Sequence, residues 1–334
     1  MMMISLGVDV SKKKLDGHRL GEELPPKGWK KTVTNDAQGF TGLLKWVQNK
    51  SGCDPNQIHI VMEATGPYHE LFAQAMYEAG CRVSVVNPAR VKHFARGEGI
   101  RTKNDKIDAY VLALYGLRHP EQRRWQPEVA EYRQLKALLK RQEAIEMDLR
   151  RERNRLEKIP ATHASTEVLE SHQRSIAFLE QELHQLKQHI ELHVQQHPTL
   201  QKDCALLTSI PGVGTVVALI MVALLQHGQR FESASQAAAY LGLIPIEAES
   251  GTSVRHPARL SKTGPAPWRA KLYMPAIVAS QHNPDVRALY LRLLARGKSK
   301  MAALGAAMRK LVHICFGVIK HQTVYQPQIA TLVG

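Results

Sequence analysis

Two short apolar runs in this chain end in a carboxylate, and this most constrains what the chain can become. Ile4-Ser5-Leu6-Gly7-Val8-Asp9-Val10 reads as a strand with Asp9 near its end, and Ile58-His59-Ile60-Val61-Met62-Glu63 reads as another, closed by Glu63. A carboxylate in an apolar strand is costly to bury unless it is paired or holds a metal ion. A third segment, Asn104-Asp105-Lys106-Ile107-Asp108-Ala109-Tyr110-Val111-Leu112, opens a helical pattern. Its Asp105 and Asp108, three residues apart, share one helix face. Two strand ends and one such pair predict a single divalent-metal site, for Mg²⁺ or Mn²⁺, of the kind a metal-dependent nuclease uses.

The surrounding pattern gives these acids a fold. After the first strand, Lys13–Leu20 and Trp29–Thr34 read as two more strands around a Gly/Pro-rich turn, and Asp36–Asn49 has helical spacing. The strand ending in Glu63 follows, then a helix over Pro67–Glu78 and a strand over Arg82–Asn87. Three strands, a helix, then strand–helix–strand is the order of an RNase H-like α/β sheet. In that order the first and fourth strands are neighbours, which would set Asp9 beside Glu63.

Charge narrows the partner. The 334 residues carry a net +15, with a sequence pI near 9.7, and the excess is uneven. Residues 251–334 hold thirteen Lys/Arg and one acid, Asp285, so this quarter contributes +12. Such a concentration fits contacts to nucleic-acid phosphates, whose neutralisation drives non-specific affinity. The four cysteines, Cys53, Cys81, Cys204 and Cys315, show neither a C-x-x-C pair nor a zinc spacing, so reduced thiols in a cytoplasmic protein are expected. No signal peptide is visible at Met1-Met2-Met3-Ile4. The apolar run Val216–Leu225 is too short to span a bilayer and reads as a core helix, so no membrane partner is expected.

Three parts are expected: 1–118, 119–197 and 198–334. The middle part is a helical hairpin over 128–197. Leu135, Leu138, Gln142, Ile145, Leu149, Glu152, Leu156 and Ile159 alternate at three and four residues, and so do Ile176, Leu179, Leu183, Leu186 and Ile190. This is a coiled-coil seam, with the break expected at Ile159-Pro160-Ala161-Thr162. The last part opens with Ile210-Pro211-Gly212-Val213-Gly214 between two helical patterns. It reads as a helix–hairpin–helix whose backbone N–H groups around Gly212 and Gly214 can hold a DNA phosphate. Residues 247–264 read as a polar loop rich in Gly, Ser and Thr. Arg255, Arg259 and Lys262 there can stabilise phosphoryl charge, and Arg269 and Lys271 extend the basic surface. Ser250, Thr252, Ser253 and Ser261 are all candidate nucleophiles, and nothing in their spacing chooses among them.

Taken in order, these motifs resemble the DEDD transposases of the IS110 insertion-sequence family, described as RNA-guided DNA recombinases. The resemblance is carried by Gly7-Val8-Asp9-Val10-Ser11-Lys12, Met62-Glu63-Ala64-Thr65-Gly66-Pro67-Tyr68, Val86-Asn87-Pro88-Ala89 and Arg101–Ala109. It continues through Ile210–Gly214, Glu249-Ser250-Gly251, Arg259–Gly264 and Tyr273-Met274-Pro275-Ala276, and so covers nearly the whole chain. It implies an N-terminal RuvC-like (RNase H-like) domain over 1–118 with Asp9, Glu63, Asp105 and Asp108 as metal ligands, a coiled-coil hairpin, and a mainly α C-terminal transposase domain. It also implies that Ser250 is the catalytic serine, forming a covalent bond to DNA. Implied partners are donor and target DNA, a non-coding guide (bridge) RNA, and further copies of the chain as dimers pairing into tetramers. The setting implied is the prokaryotic cytoplasm, at the nucleoid. Ile246-Glu247-Ala248 lack the basic residues the family pattern would place there. The alternative is a Holliday-junction-resolvase-like endonuclease that uses the same four acids and water, without a covalent intermediate.

Overall fold

In the computed structural model, residues 4–21, 28–64, 66–100, 105–162, 165–250 and 254–328 are described. Side chains at 105, 106, 160–162, 247–250 and 254–258 are not. The chain divides into two compact units, Met1–Pro127 and Glu128–Gly334. The helical hairpin expected over 128–197 belongs to the second unit, with the segments that follow it, and residues 119–127 belong to the first.

The first unit is built on a five-stranded sheet of order β3-β2-β1-β4-β5. The strands are β1 (Ile4–Val10), β2 (Lys14–Leu20), β3 (Gly28–Thr34), β4 (Ile58–Glu63) and β5 (Arg82–Val86). β1, β2 and β3 form an antiparallel meander, and β4 and β5 run parallel to β1. This is the RNase H-like order, with β1 and β4 adjacent as expected.

Alternation along β1 explains what covers each face. Ile4, Leu6, Val8 and Val10 point into a core with Phe40, Leu43 and Val47 of α1 (Ala37–Ser51) and Phe72, Ala73 and Met76 of α2 (Glu70–Glu78). Helix α1 begins where Asp36 accepts the Gly39 N–H at 2.8 Å, an N-cap that fixes its start. Ser5, Gly7 and Asp9 point to the other face. There Ser5 Oγ donates to the Ala113 carbonyl of α4 (Asp105–Arg118) at 2.7 Å. Val61 of β4 packs on the same side with Val111, Leu112 and Tyr115. The segment between β5 and α4 also contains α3 (Pro88–Gly97), a helix the apolar pattern does not announce. It carries Arg90, Lys92 and Arg96, and its apolar anchor, Phe94, stacks edge-on against Tyr115.

In the second unit, α5 (Ala130–Thr162) and α6 (Thr166–Gln196) are the hairpin arms. Helix α5 continues through Pro160 to Thr162, across the four residues where the break was expected, and α6 starts after Ser165. Pro160 has no N–H to give to the carbonyl four residues earlier, and the helix ends within two residues of it. The polar seam residues have partners. Gln142 donates to Glu146 at 2.8 Å, and Glu152 faces His172 of the opposite arm at 2.7 Å.

Below the hairpin lie α7 (Pro198–Thr208), α8 (Thr215–Leu225), α9 (Ala234–Tyr240), the ribbon β6 (Pro245–Ser250) and β7 (Val254–Leu260), and α10 (Ala266–Lys271). α11 (Tyr273–His282), α12 (Pro284–Ala295) and α13 (Lys300–His321) complete the unit. The apolar run of α8 is core, as expected, and Ala218 and Met221–Leu225 are fully buried. Helix α13 is long and apolar enough to cross a membrane by length and composition. Leu311, Val312, Cys315 and Phe316 place its apolar stripe in the same core.

A buried carboxylate closes this core. Asp203 is fully buried and accepts from Gln322 Nε2 at 2.9 Å, with His227 Nδ1 at 3.1 Å. Those contacts join α7 to the C-terminal ends of α8 and α13. All four cysteines are free. Burial pushes the Cys81 and Cys315 thiols up to about 12 and Cys204 to about 11, so they are inert packing groups at neutral pH.

Candidate functional site

The packing of α4 on β1 brings the acids together. A Cβ added at Gly7 would fall inside contact distance of Ala109 O and Ala113 N, and 2.8 Å from the Leu112 carbonyl carbon, so helix and strand backbones touch there. Ser5 meets Ala113 and Gly7 meets Ala109. Two strand residues advance about 6.6 Å and four helix residues about 6 Å, so the two elements stay in step. One further step puts Asp9 against the first turn of α4, which begins at Asp105 and contains Asp108.

β4 adds the fourth acid. Its parallel register with β1 runs to Val8↔Met62, and the next positions are Asp9 and Glu63. Glu63 shares a face with Val61, the face α4 covers. Asp9, Glu63 and Asp108 are each half-buried at the same end of the sheet. The Asp105 side chain lies outside the described residues.

The donor set is hard oxygen, the chemistry that Mg²⁺ and Mn²⁺ require. Among the described residues no three His, Cys, Asp or Glu side chains are grouped to hold a metal ion. Asp9, Glu63 and Asp108 supply the oxygen donors on this face, and the first turn of α4 carries Asp105.

β2 adds an acid that the motifs do not single out. Asp16 stands directly opposite Asp9 in the antiparallel ladder and is buried. The signal available in the sequence was the short turn at 11–13, which fixes this register. Ser11 N–H donates to the Lys14 carbonyl at 3.0 Å.

In the second unit Pro245–Ser250 and Val254–Leu260 pair as an antiparallel ribbon, where a polar loop was expected over 247–264. Among the described residues the ribbon has two strands, so β7 has an edge that accepts Pro257, which has no N–H to give. Ser250 pairs with Val254 at the ribbon tip, and its side chain lies outside the described residues, as does that of Arg255. Thr252 and Ser253 also lie outside them. Ser261, by contrast, follows the ribbon, and its N–H donates to Ile244 O at 2.9 Å.

Lys262 follows in a left-handed backbone conformation, φ +54°, held by its N–H to Gly242 O at 3.2 Å. Arg259 and Lys262 are both exposed. Arg269 and Lys271 have protein partners instead. Arg269 Nη1 donates to Leu241 O at 3.1 Å, and Lys271 Nζ lies 2.7 Å from Glu146 Oε2 of the hairpin.

The expected helix–hairpin–helix is α7, a turn and α8. Gly212 has φ +97°, and its Cα sits against Ala279 of α11, so that glycine serves the packing of the turn. Gly214 is different. It is the N-cap of α8, open around its Cα, and no side chain caps the first turn.

Further cations line the end of the second unit. Arg287, Arg292, Arg296, Lys298 and Lys300, on α12 and the turn into α13, are all exposed. The one acid of this quarter, Asp285, is buried and accepts from Tyr325 Oη at 2.6 Å. Its carboxylate thus forms no ion pair with these exposed cations among the described residues.

An RNase H-like sheet with acids at the ends of adjacent strands defines the protein class. Comparison with known proteins agrees. Residues 6–160 match a transposase family of the DEDD IS110 type, and residues 204–291 match the transposase IS116/IS110/IS902 family. The pilin gene-inverting protein of Moraxella bovis is 31% identical over 97% of this chain and 98% of its own length. An insertion element IS110 43.6 kDa protein from Streptomyces coelicolor is 27% identical over 51% of this chain and 41% of its own. Thermus thermophilus RuvC in complex with a Holliday junction substrate aligns with 37% of this chain at 14% identity and a TM-score of 0.29. That score is too low for weight, so the strand order identifies the fold. The chain belongs to the IS110 family of transposases, enzymes that act on DNA.

Proposed function

We propose that this chain is a DNA recombinase that moves or inverts a DNA segment by metal-assisted strand cleavage and rejoining. The observation that carries the reading is the register of α4 on β1. Ser5 meets Ala113 and Gly7 meets Ala109, and β4 runs beside β1 to Met62, which supports a shared site for Asp9, Glu63, Asp105 and Asp108. The gene inversion named for the Moraxella relative, aligned along nearly its whole length, supports recombination over simple hydrolysis.

Asp9, Glu63, Asp105 and Asp108 hold Mg²⁺ or Mn²⁺. A bound pair of such ions would stabilise the charge on the scissile phosphate and on the attacking and leaving oxygens. The carboxylates would orient that phosphate only through the ions they hold, and Asp9, Glu63 and Asp108 are half-buried at the end of the sheet.

Ser250, at the tip of the β6–β7 ribbon, is the nucleophile. Its Oγ bonds to phosphorus as the P–O bond to the departing strand breaks, and the departing oxygen takes up a proton. One phosphodiester is exchanged for another, so rejoining to a new strand needs no ATP. The acids belong to the first unit and Ser250 to the second, so the reaction needs the two to dock, within one copy or between copies. Dimers pairing into tetramers provide such docking. A non-coding RNA transcribed from the element supplies sequence choice by base pairing with donor and target DNA, while the protein contacts backbone and shape.

Trapping labelled DNA on denaturing gels tests the reading. Wild type should leave a covalent protein–DNA adduct that maps to Ser250. Ser250→Ala should bind DNA and form none, and Asp105→Asn should neither cleave nor form an adduct. An adduct at Ser253 or Ser261 would remove Ser250 from the role. Metal-dependent cleavage with no adduct would favour the resolvase-like reaction with water.

A further inference from the structure

Strand β2 brings a cation to the row of acids. Asp16 lies opposite Asp9 in the β1–β2 ladder, so both side chains stand on the face that α4 covers, and Glu63 continues the row on the other side of Asp9. Three carboxylates side by side repel one another, and like charges directly opposite on neighbouring strands are unfavourable.

Both oxygens of Asp16 are engaged. Thr32 Oγ1 donates to Oδ1 at 2.5 Å, and Lys14 Nζ lies 3.0 Å from Oδ2. Lys14 is two residues from Asp16 on the same strand, hence on the same face. Its side chain is 46% exposed, against 11% for that of Asp16. The pair therefore has a buried, anchored acid and a half-exposed lysine.

The backbone beneath is also fixed. Ser11 N–H and Ser11 Oγ both donate to the Lys14 carbonyl, at 3.0 and 2.9 Å, and Asn35 Nδ2 donates to Ser11 O at 2.8 Å. Exposed ion pairs are usually loose because two long side chains must be ordered at once. Here the acid is already ordered by burial and by Thr32.

We propose that Lys14 contacts a backbone phosphate of the DNA strand at the cleavage site, and that Asp16, held by Thr32, is the positioning residue that aims it. The inference rests on the strand-cleavage reading above. A phosphate brought to a row of carboxylates is repelled unless cations intervene. The Lys14 ammonium is a compact charge with three donors, resident at that row. Its hydrogen bond to a non-bridging oxygen would strengthen as negative charge grows there during transfer. The bland reading is an ion pair that serves only to neutralise Asp16, and the two readings differ in what DNA responds to.

The test uses the full-length chain with Lys14→Met, Lys14→Arg, Asp16→Asn and the Lys14→Met/Asp16→Asn double variant. Binding of a fluorescein-labelled single-stranded oligonucleotide is followed against salt in EDTA. Nicking of supercoiled plasmid is followed in Mn²⁺. Lys14→Met should lower the log–log salt slope by about 0.7, one phosphate contact on single strands. It should slow nicking about ten- to a hundredfold, the scale of removing one charge-stabilising group, while Lys14→Arg keeps most of the rate. Asp16→Asn should slow nicking by a smaller factor and cost nothing further in the Lys14→Met background. An unchanged slope and rate in Lys14→Met would overturn the proposal. So would a drop in melting temperature without a change in slope, which marks a structural pair. A double variant whose loss is the product of the single losses would remove Asp16 from the positioning role. If wild type does not nick at all, the cleavage reading fails, and the salt slope alone decides the contact.

Discussion

Replacing Gly7 with alanine should uncouple the fold of the first unit from its chemistry. Gly7 lies between Ser5 and Asp9 on the face covered by α4, and a Cβ there meets the backbone at Ala109, Leu112 and Ala113. None of these atoms is the end of a flexible side chain that could swing away. Restoring ordinary contact, 3.4 Å or more, requires α4 to back away by about 1 Å. Over-packing of this kind costs roughly 1–3 kcal/mol. Alanine recovers part of that, about 0.5–1 kcal/mol, because glycine loses more chain entropy in a strand. The net loss is then about 1–2 kcal/mol, or several degrees in melting temperature.

The effect on activity should be larger. Asp105 and Asp108 travel with α4 while Asp9 and Glu63 stay with the sheet, so the ligand set opens. A misplacement of about 1 Å can cost on the order of a hundredfold in rate. Circular dichroism melting and Mn²⁺-dependent plasmid nicking, both well below the melting temperature, measure the two effects separately. Gly42→Ala is the control, since nothing lies within 4 Å of its added Cβ. Wild-type melting and nicking in Gly7→Ala would refute the contact between β1 and α4 and the register built on it.

Three further outcomes are expected. Burial first, then Arg82, pushes the His59 imidazole down to about 4, so it folds neutral, with Ser84 Oγ at 2.9 Å. Its contribution to stability is therefore present above pH 6.5 and is lost as the pH falls from 6.5 toward 4. That contribution is on the order of 3 kcal/mol, and His59→Gln should flatten this acid limb in pH-dependent denaturant titrations. Replacing Arg287, Arg292, Arg296 and Lys298 by glutamine should lower the salt slope for duplex DNA by about 0.9 for each phosphate no longer neutralised, whereas an unchanged slope would move the binding surface elsewhere. Gly212→Ala should destabilise the second unit by about 1–3 kcal/mol, because its φ of +97° and its contact with Ala279 admit no methyl. Gly214→Ala, in open space, should leave the melting temperature close to wild type.

Much of this protein is local, and the sequence alone determined that much. The strands ending near Asp9 and at Glu63, the helix opening at Asp105, the 3-4 seam of the hairpin and the buried run of α8 all follow from patterns within a few residues. Side-chain alternation and hydrophobic burial set them before any distant contact forms. The order of strands and helices then limits the sheet to few arrangements, which is why β1 and β4 could be placed side by side.

What remained depended on contacts between residues far apart in the chain. Nothing near Gly7 in the sequence announces that its missing side chain admits α4. That close approach fixes where Asp105 and Asp108 stand. Asp16 and Lys14 join the acids only because a tight turn at Ser11 sets the register of β2, and a shift of one residue would turn both to the other face. The 247–264 segment has the composition of a loop, yet Pro245–Ser250 and Val254–Leu260 pair as a ribbon. Arg269 and Lys271 look like surface cations in sequence, but Leu241 O and Glu146, 28 and 125 residues away, claim them. Charge and hydrophobicity are properties of single residues, whereas a partner is a property of the packed chain.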